Sequence, residues 1–148
     1  MDTLMLDGES YSIAAEPMAD YLQTARLPHP LVPHSTACWR GYFSAWSVDD
    51  ERLYLIEWNG YIGDFEEVGM EYIFPGQEKV FAEWYSGEIR IPQGKLVCYI
   101  HGGYESIYEK DLFLKFEKGI LKSRTIVRRT KEEIRRILKE EEENDLPF

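Results

Sequence analysis

Between residues 35 and 127 the chain is cut into short apolar, aromatic-rich stretches by two-residue turn signals, which leaves room for little but an antiparallel sheet. "TACWRGYFSAWSV" runs into the polar "DDER", and "LYLIEW" is followed by Asn59-Gly60. "MEYIF" ends at Pro75-Gly76, "KVFAEWY" leads through Ser86-Gly87 to "EIRI", and "KLVCYI" enters His101-Gly102-Gly103. Gly and Asn accept the positive φ of tight turns, so each pair reads as a bend between strands. The stretches read without the intervening helices that a parallel sheet needs. In "DLFLKFEKG", Leu112, Leu114 and Phe116 alternate with Phe113, Lys115 and Glu117, the period of a strand buried on one face.

The flanks add two helices. Asp7-Gly8 separates two short apolar runs and predicts a hairpin over residues 1–14. "AEPMADYLQTA", with Pro17 near its start, reads as a short helix, and Pro28, Pro30 and Pro33 make residues 28–34 an extended connector. Thr130 and Glu133 have the spacing of a capping box, with Ile134, Ile137 and Leu138 forming an apolar stripe; the spacing predicts a helix over 130–143 and a frayed tail over 144–148. The expected architecture is one α+β domain over 1–148. Its β core, residues 35–128, is mainly antiparallel and strongly curved or half-barrel-shaped, with one short helix in the N-terminal region and one C-terminal helix.

Charge narrows the partners. The formal net charge is −10, which disfavours a phosphate backbone, because that affinity comes from Lys and Arg displacing counterions. Residues 49–88 hold eleven acidic residues against Arg52 and Lys79, whereas residues 110–129 hold seven basic ones against Asp111 and Glu117. An acidic region and a smaller basic one are therefore expected on the surface. No membrane-length apolar run is present, and the acidic N-terminus lacks the pattern of a signal peptide; a cytoplasmic protein is expected. Cys38 and Cys98 form no CxxC pair and read as buried thiols.

Candidate chemistry is sparse. His101-Gly102-Gly103 resembles the oxyanion-hole start of lipase-like hydrolases, but that chemistry needs a GxSxG elbow, which the chain lacks; a hairpin bend is the preferred reading. The alternative is a pocket edged by His101, Tyr104 and Glu105, with Glu83 as a further carboxylate, serving a small-molecule or sugar-processing enzyme. His29, His34 and His101 have no metal-ligand spacing, so neither metal nor cofactor is assigned. Trp58, Trp84, Tyr85, Arg40 and Tyr104 are the residue types that anchor protein interfaces, and they are the expected binding residues.

The segments "RGYFSAWSVDDERLYLIEW" and "FAEWYSGEIRIPQGKLVCYIHGGYESIYEKDLFLKFEKG" resemble blocks of small, uncharacterised bacterial proteins, with the words RGY, W-SGE, IPQG and YEK carrying the likeness. They cover less than half of the chain. The resemblance implies a bacterial, intracellular, β-rich protein and brings no site residue. Together with the charge pattern, the expectation is a non-catalytic protein-binding module, in its most concrete form an acidic immunity-type or antitoxin-like protein. Its partner would be a protein with a basic surface, neither nucleic acid nor membrane.

Overall fold

Asp7 (φ 51°) and Gly8 (φ 83°) turn β1 (Asp2–Leu6) back onto β2 (Glu9–Ile13), opening a chain whose computed structural model describes residues 2–33, 40–63, 66–98 and 107–144. Helix α1 (Met18–Thr24) follows, buried through Met18. The proline connector is then pinned to the sheet, where the Val32 N–H donates to the Tyr61 carbonyl (2.8 Å) and the Tyr72 hydroxyl bridges the N–H and C=O of His29 (2.8 and 2.9 Å). This long excursion lets β3 (Tyr42–Asp49) lie parallel to β1, Leu4 opposite Trp46.

The remaining pairs in the described sheet are antiparallel. Asp50 and Glu51, both at positive φ, turn β3 into β4 (Arg52–Ile62). Short β5 (Glu66–Val68), helix α2 (Met70–Ile73) and β6 (Val80–Phe81) lie along β4. The long β7 (Gly87–Cys98), β8 (Ile107–Glu117) and β9 (Ile120–Arg128) form a second antiparallel group, followed by α3 (Lys131–Asn144). The strand order is β2-β1-β3-β4-β9-β8-β7 in one open, mixed sheet, and the fold is α+β and β-rich. One apolar cluster, from Leu4 through Trp46, Leu55 and Ile91 to Phe116, spans both groups. Helix α3 starts with Thr130 Oγ1 accepting the Glu133 N–H (3.1 Å) and packs on β7 with Ile134 and Ile137 half-buried.

Three local readings differ from the structure. Asn59-Gly60 is no turn, because both residues continue β4. Gly60 is there for space, since a Cβ would lie 2.3 Å from the Trp58 ring. "MEYIF" is largely α2, whose Met70, Ile73 and Phe74 follow helical spacing to set Phe74 against Tyr21 (4.9 Å). "EIRI" and "KLVC" are one strand: Pro92 is tolerated because β7 is an edge strand, and Gly94 (φ 79°) lies within a register shift between Gln93 and Leu96. The Gly102-Gly103 bend and Cys38 lie outside the described residues.

Among the described residues the two strand groups meet in the sheet at a single rung, Arg52 opposite Ile120. Around it the chain is sewn together by the backbone. Gly119 donates to the Tyr85 carbonyl (2.7 Å) and accepts from the Leu53 N–H (2.8 Å), Leu121 donates to Glu51 (2.7 Å), and Ala82 donates to Leu53 (2.9 Å). Gly119 sits at φ 79°, and a Cβ there would lie 2.5 Å from the Ala82 carbonyl oxygen. Gly119→Ala is expected to destabilise the protein by at least ~2 kcal/mol, from left-handed strain plus a clash with rigid backbone. Gly8→Ala, at φ 83° with nothing within 4 Å, is expected to cost only about 1 kcal/mol, the strain alone. Denaturant unfolding of the two variants checks this; equal losses would mean the joint is not tightly packed.

Candidate functional site

Strand β4 buries every second residue from Leu53 to Leu55 and again from Trp58 to Ile62, and its one acid, Glu57, faces solvent between the two runs. The same outward placement continues through the segments along it. All ten described acidic residues of the 49–88 segment, from Asp49 to Glu88, are exposed. Its two cations are already engaged: Lys79 Nζ lies 2.8 Å from Asp49 Oδ2 and 4.2 Å above the Tyr54 ring, and Arg52 lies 3.7 Å from Asp50. The Lys79 ammonium, with Ser47 assisting, holds the Asp49 carboxyl below its usual range. Glu66, Glu67 and Glu78 have no ion-pair partner among the described residues and leave this face strongly negative.

Two buried carboxylates organise the sheet itself. Asp111, on β8, is 2% exposed and takes Arg90 Nε from β7 (2.9 Å) on one oxygen and Arg129 (3.0 Å) on the other. Arg129 also donates to the Tyr108 carbonyl (2.8 Å), so the base of α3 is tied to the β7–β8 pair. Asp2 accepts the Ser44 N–H (2.9 Å) and pairs with Arg40, linking the start of β1 to β3. Its second carboxylate oxygen is buried without a hydrogen-bond partner among the described residues. Arg40 also reaches Glu16 (3.2 Å) and the Tyr42 carbonyl (3.0 Å), and its guanidinium lies 4.1 Å above the Tyr42 ring.

A cleft of about 560 Å³ opens where β4 and β9 part. The β1–β2 and β3–β4 turns contribute Asp7, Asp50 and Glu51 to one side; the start of β9 contributes Lys122 and Arg124 to the other. Arg124 bridges the mouth to Asp7 at 3.1 Å. A second cleft, of about 420 Å³, lies between the sheet edges β2 and β7 and is lined by Glu9, Tyr11, Gln93 and Lys110. Both mix charges of opposite sign, which suits a polar or peptide-like contact.

The expected anchors are divided by burial. Trp58 is fully buried and stacks near Tyr42 (6.3 Å between rings); Tyr85 is 7% exposed and packs on Phe116 (6.0 Å). Both therefore serve the core and present no ring to a partner. Trp84 is half-buried: its indole N–H donates to the Pro17 carbonyl (2.7 Å), and its ring closes a cluster with Tyr21, Phe74 and Trp46. Arg40 is held by its ion pairs inside the fold. Glu83 is exposed just after β6, while His101, Tyr104 and Glu105 lie outside the described residues. Among the described residues no group of three His, Cys, Asp or Glu side chains could hold a metal ion, and no helix is long and apolar enough to cross a membrane. Sequence reasoning missed the pairing of Asp111 with Arg90 and Arg129; its one trace was an acid inside an otherwise basic stretch. Compared with protein-family models, curated proteins and solved structures, the chain matches none.

The buried ionisable groups give two measurable outcomes. Burial pushes the Tyr42 and Tyr85 hydroxyls up to about 12, with Asp2 and Glu16 adding at Tyr42 against the opposing Arg40, and Asp20 and Glu88 adding at Tyr85. An unfolded tyrosine ionises near about 10 and so loses its proton first as pH rises. The stability contributed by these neutral hydroxyls is complete below about pH 10 and lost from there through about pH 12. In an ultraviolet titration, two of the ten tyrosines are expected to ionise last, together with unfolding, and Tyr42→Phe should remove one of them. Asp111→Ala would leave two guanidinium groups facing an apolar gap and is expected to cost about 3 kcal/mol in denaturant unfolding. A loss under about 1 kcal/mol would show that solvent already carries those charges.

Proposed function

We propose that this protein is a non-catalytic, single-domain protein-binding module of the immunity or antitoxin type, which meets a basic partner through the acidic face along β4, β5 and β6. One observation carries the reading: the described acids of residues 49–88 are all exposed, while both cations of that segment are already engaged by acids of their own. A surface so uncompensated attracts a basic partner over several ångströms and speeds encounter, at the cost of repelling copies of itself. Orientation would come from the shape of the face, since Trp58 and Tyr85 are spent on the core and Trp84 is half-buried against it. The approach of β2 to β7 around a shared cleft supports reading the sheet as strongly curved, a half-barrel with its acidic strands outward. A bacterial, cytoplasmic setting belongs to the same reading.

The test is capture from a native bacterial lysate by the immobilised protein and by a Glu66→Lys, Glu67→Lys, Glu78→Lys variant. Basic proteins held by the wild type at low salt should be released as ionic strength rises, and their capture should fall on the order of tenfold with the variant. Equal capture by both, or capture of no basic protein, would remove the support for this reading.

A further inference from the structure

Strand β9 differs from every other long strand of the sheet. Its β8 side is paired from Glu117–Ile120 to Lys110–Arg128. On its other side, among the described residues, backbone pairing ends at the Ile120–Arg52 rung and the Leu121 N–H to Glu51 bond. From Lys122 to Arg128 it overhangs the β3–β4 turn, and every second residue presents an unpaired N–H and C=O along an edge of roughly 24 Å. Its two faces are open as well. Ile126 (51% exposed) stands opposite Leu112, and Val127 (47% exposed) stands opposite Asp111, so apolar groups reach solvent on both sides.

The charge of this edge opposes that of the rest of the molecule. Residues 120–131 hold Lys122, Arg124, Arg128, Arg129 and Lys131 with no acid, in a chain of net charge −10. Arg129 is occupied by Asp111 and Arg124 by Asp7, whereas Lys122 and Arg128 have no ion-pair partner among the described residues. Arg124, Ile126 and Arg128 share one face of the strand, opposite Leu114, Leu112 and Lys110. Cations flanking an apolar residue at alternate positions match a strand that carries acid, apolar and acid side chains at the same spacing.

We propose that the free edge of β9, over residues 122–128, binds an extended acidic segment of a partner protein as an added antiparallel strand. The edge amides supply the affinity; Arg124 and Arg128, two residues to either side of Ile126, read carboxylates flanking an apolar residue packed on it, Arg124 exchanging its exposed Asp7 for the partner's acid. A second copy is a poor occupant, because β9 against β9 would bring arginine and lysine side chains together without an acid between them. Nucleic acid is a poorer one, because Asp7, Asp50 and Glu51 stand at the adjoining cleft. This site is separate from the acidic face, and the Glu66, Glu67 and Glu78 reversals should leave it unchanged.

The probe is a fluorescent peptide of about seven residues in which glutamate, valine and glutamate alternate with threonine. It should bind the full chain with a salt-dependent affinity and slow amide hydrogen exchange over residues 122–128. N-methylation of its central valine, which removes an edge hydrogen bond, should weaken binding at least tenfold, and lysine in place of glutamate should abolish it. The Arg124→Glu, Arg128→Glu variant, checked for folding by circular dichroism, should reverse the preference between the two peptides; the peptide series on the wild type decides even if that variant does not fold. The proposal is overturned by absence of binding, by equal binding of the N-methylated peptide, or by binding without protection of β9. It is also overturned if the protein self-associates and charge reversal on β9 abolishes the association, which would make the occupant a second copy.

Discussion

The backbone joint at Gly119 is the constraint on which the architecture depends. Two antiparallel groups, β2-β1-β3-β4 and β9-β8-β7, share a sheet through one rung, and the hydrogen bonds from Gly119, Leu121, Leu53 and Ala82 make that rung rigid. Because the Lys118-Gly119 turn lodges against Ala82 and Tyr85, β9 must leave the joint in the direction that carries it past the β3–β4 turn. The joint thus produces the cleft beside β9 and its overhanging edge as one consequence. A side chain at residue 119 would push the turn off Ala82, and the continuity of the core from Leu4 to Phe116 would go with it.

Charge is used in two opposite ways. Inside, Asp2 and Asp111 are each fixed by arginine from a separate element, so the ion pairs specify how elements meet: β1 with β3 through Arg40, and β8 with β7 and the start of α3 through Arg90 and Arg129. Such pairs add little net stability over apolar substitutes, but a mispaired register would strand a buried charge. Outside, Glu66, Glu67 and Glu78 are left without an ion-pair partner among the described residues, and the exposed cations Lys122, Arg124 and Arg128 lie along β9.

How much of this is legible in the sequence depends on how local the cause is. The turns at Asp7-Gly8 and Lys118-Gly119 are readable because positive φ is a property of the residues themselves. The β-rich α+β character follows from strand periodicity. Gly60 misleads, since the same residue type that signals a turn is here required by the Trp58 ring lying over it, a reason visible only in three dimensions. The fate of the aromatics is equally non-local. A bulge between Ala45 and Trp46 breaks the alternation of β3, leaving Trp46 and Ser47 both buried, and Tyr85 is covered because the joint brings Phe116 over it. The buried ion pairs join residues 38, 21 and 18 positions apart, beyond the reach of any spacing rule.

The edges of the sheet explain why β9 stands out as a surface. An open sheet must protect each unpaired strand from unwanted pairing. Strand β7 does so with Pro92, which cannot donate, with register shifts at Gln93 and Leu96, and with α3 packed alongside. Strand β2 is short and lies against β7, each edge shielding the other across their cleft. Strand β9 has no proline or glycine after Ile120, and its bulge, at Lys122 opposite the Lys115–Phe116 step, lies where the overhang begins and leaves Ser123 to Arg128 regular. Among the described residues its protection is charge alone. Lysine and arginine on an edge repel a like edge but invite an acidic one, so the device that keeps the protein from pairing with itself is also the one that selects a partner strand.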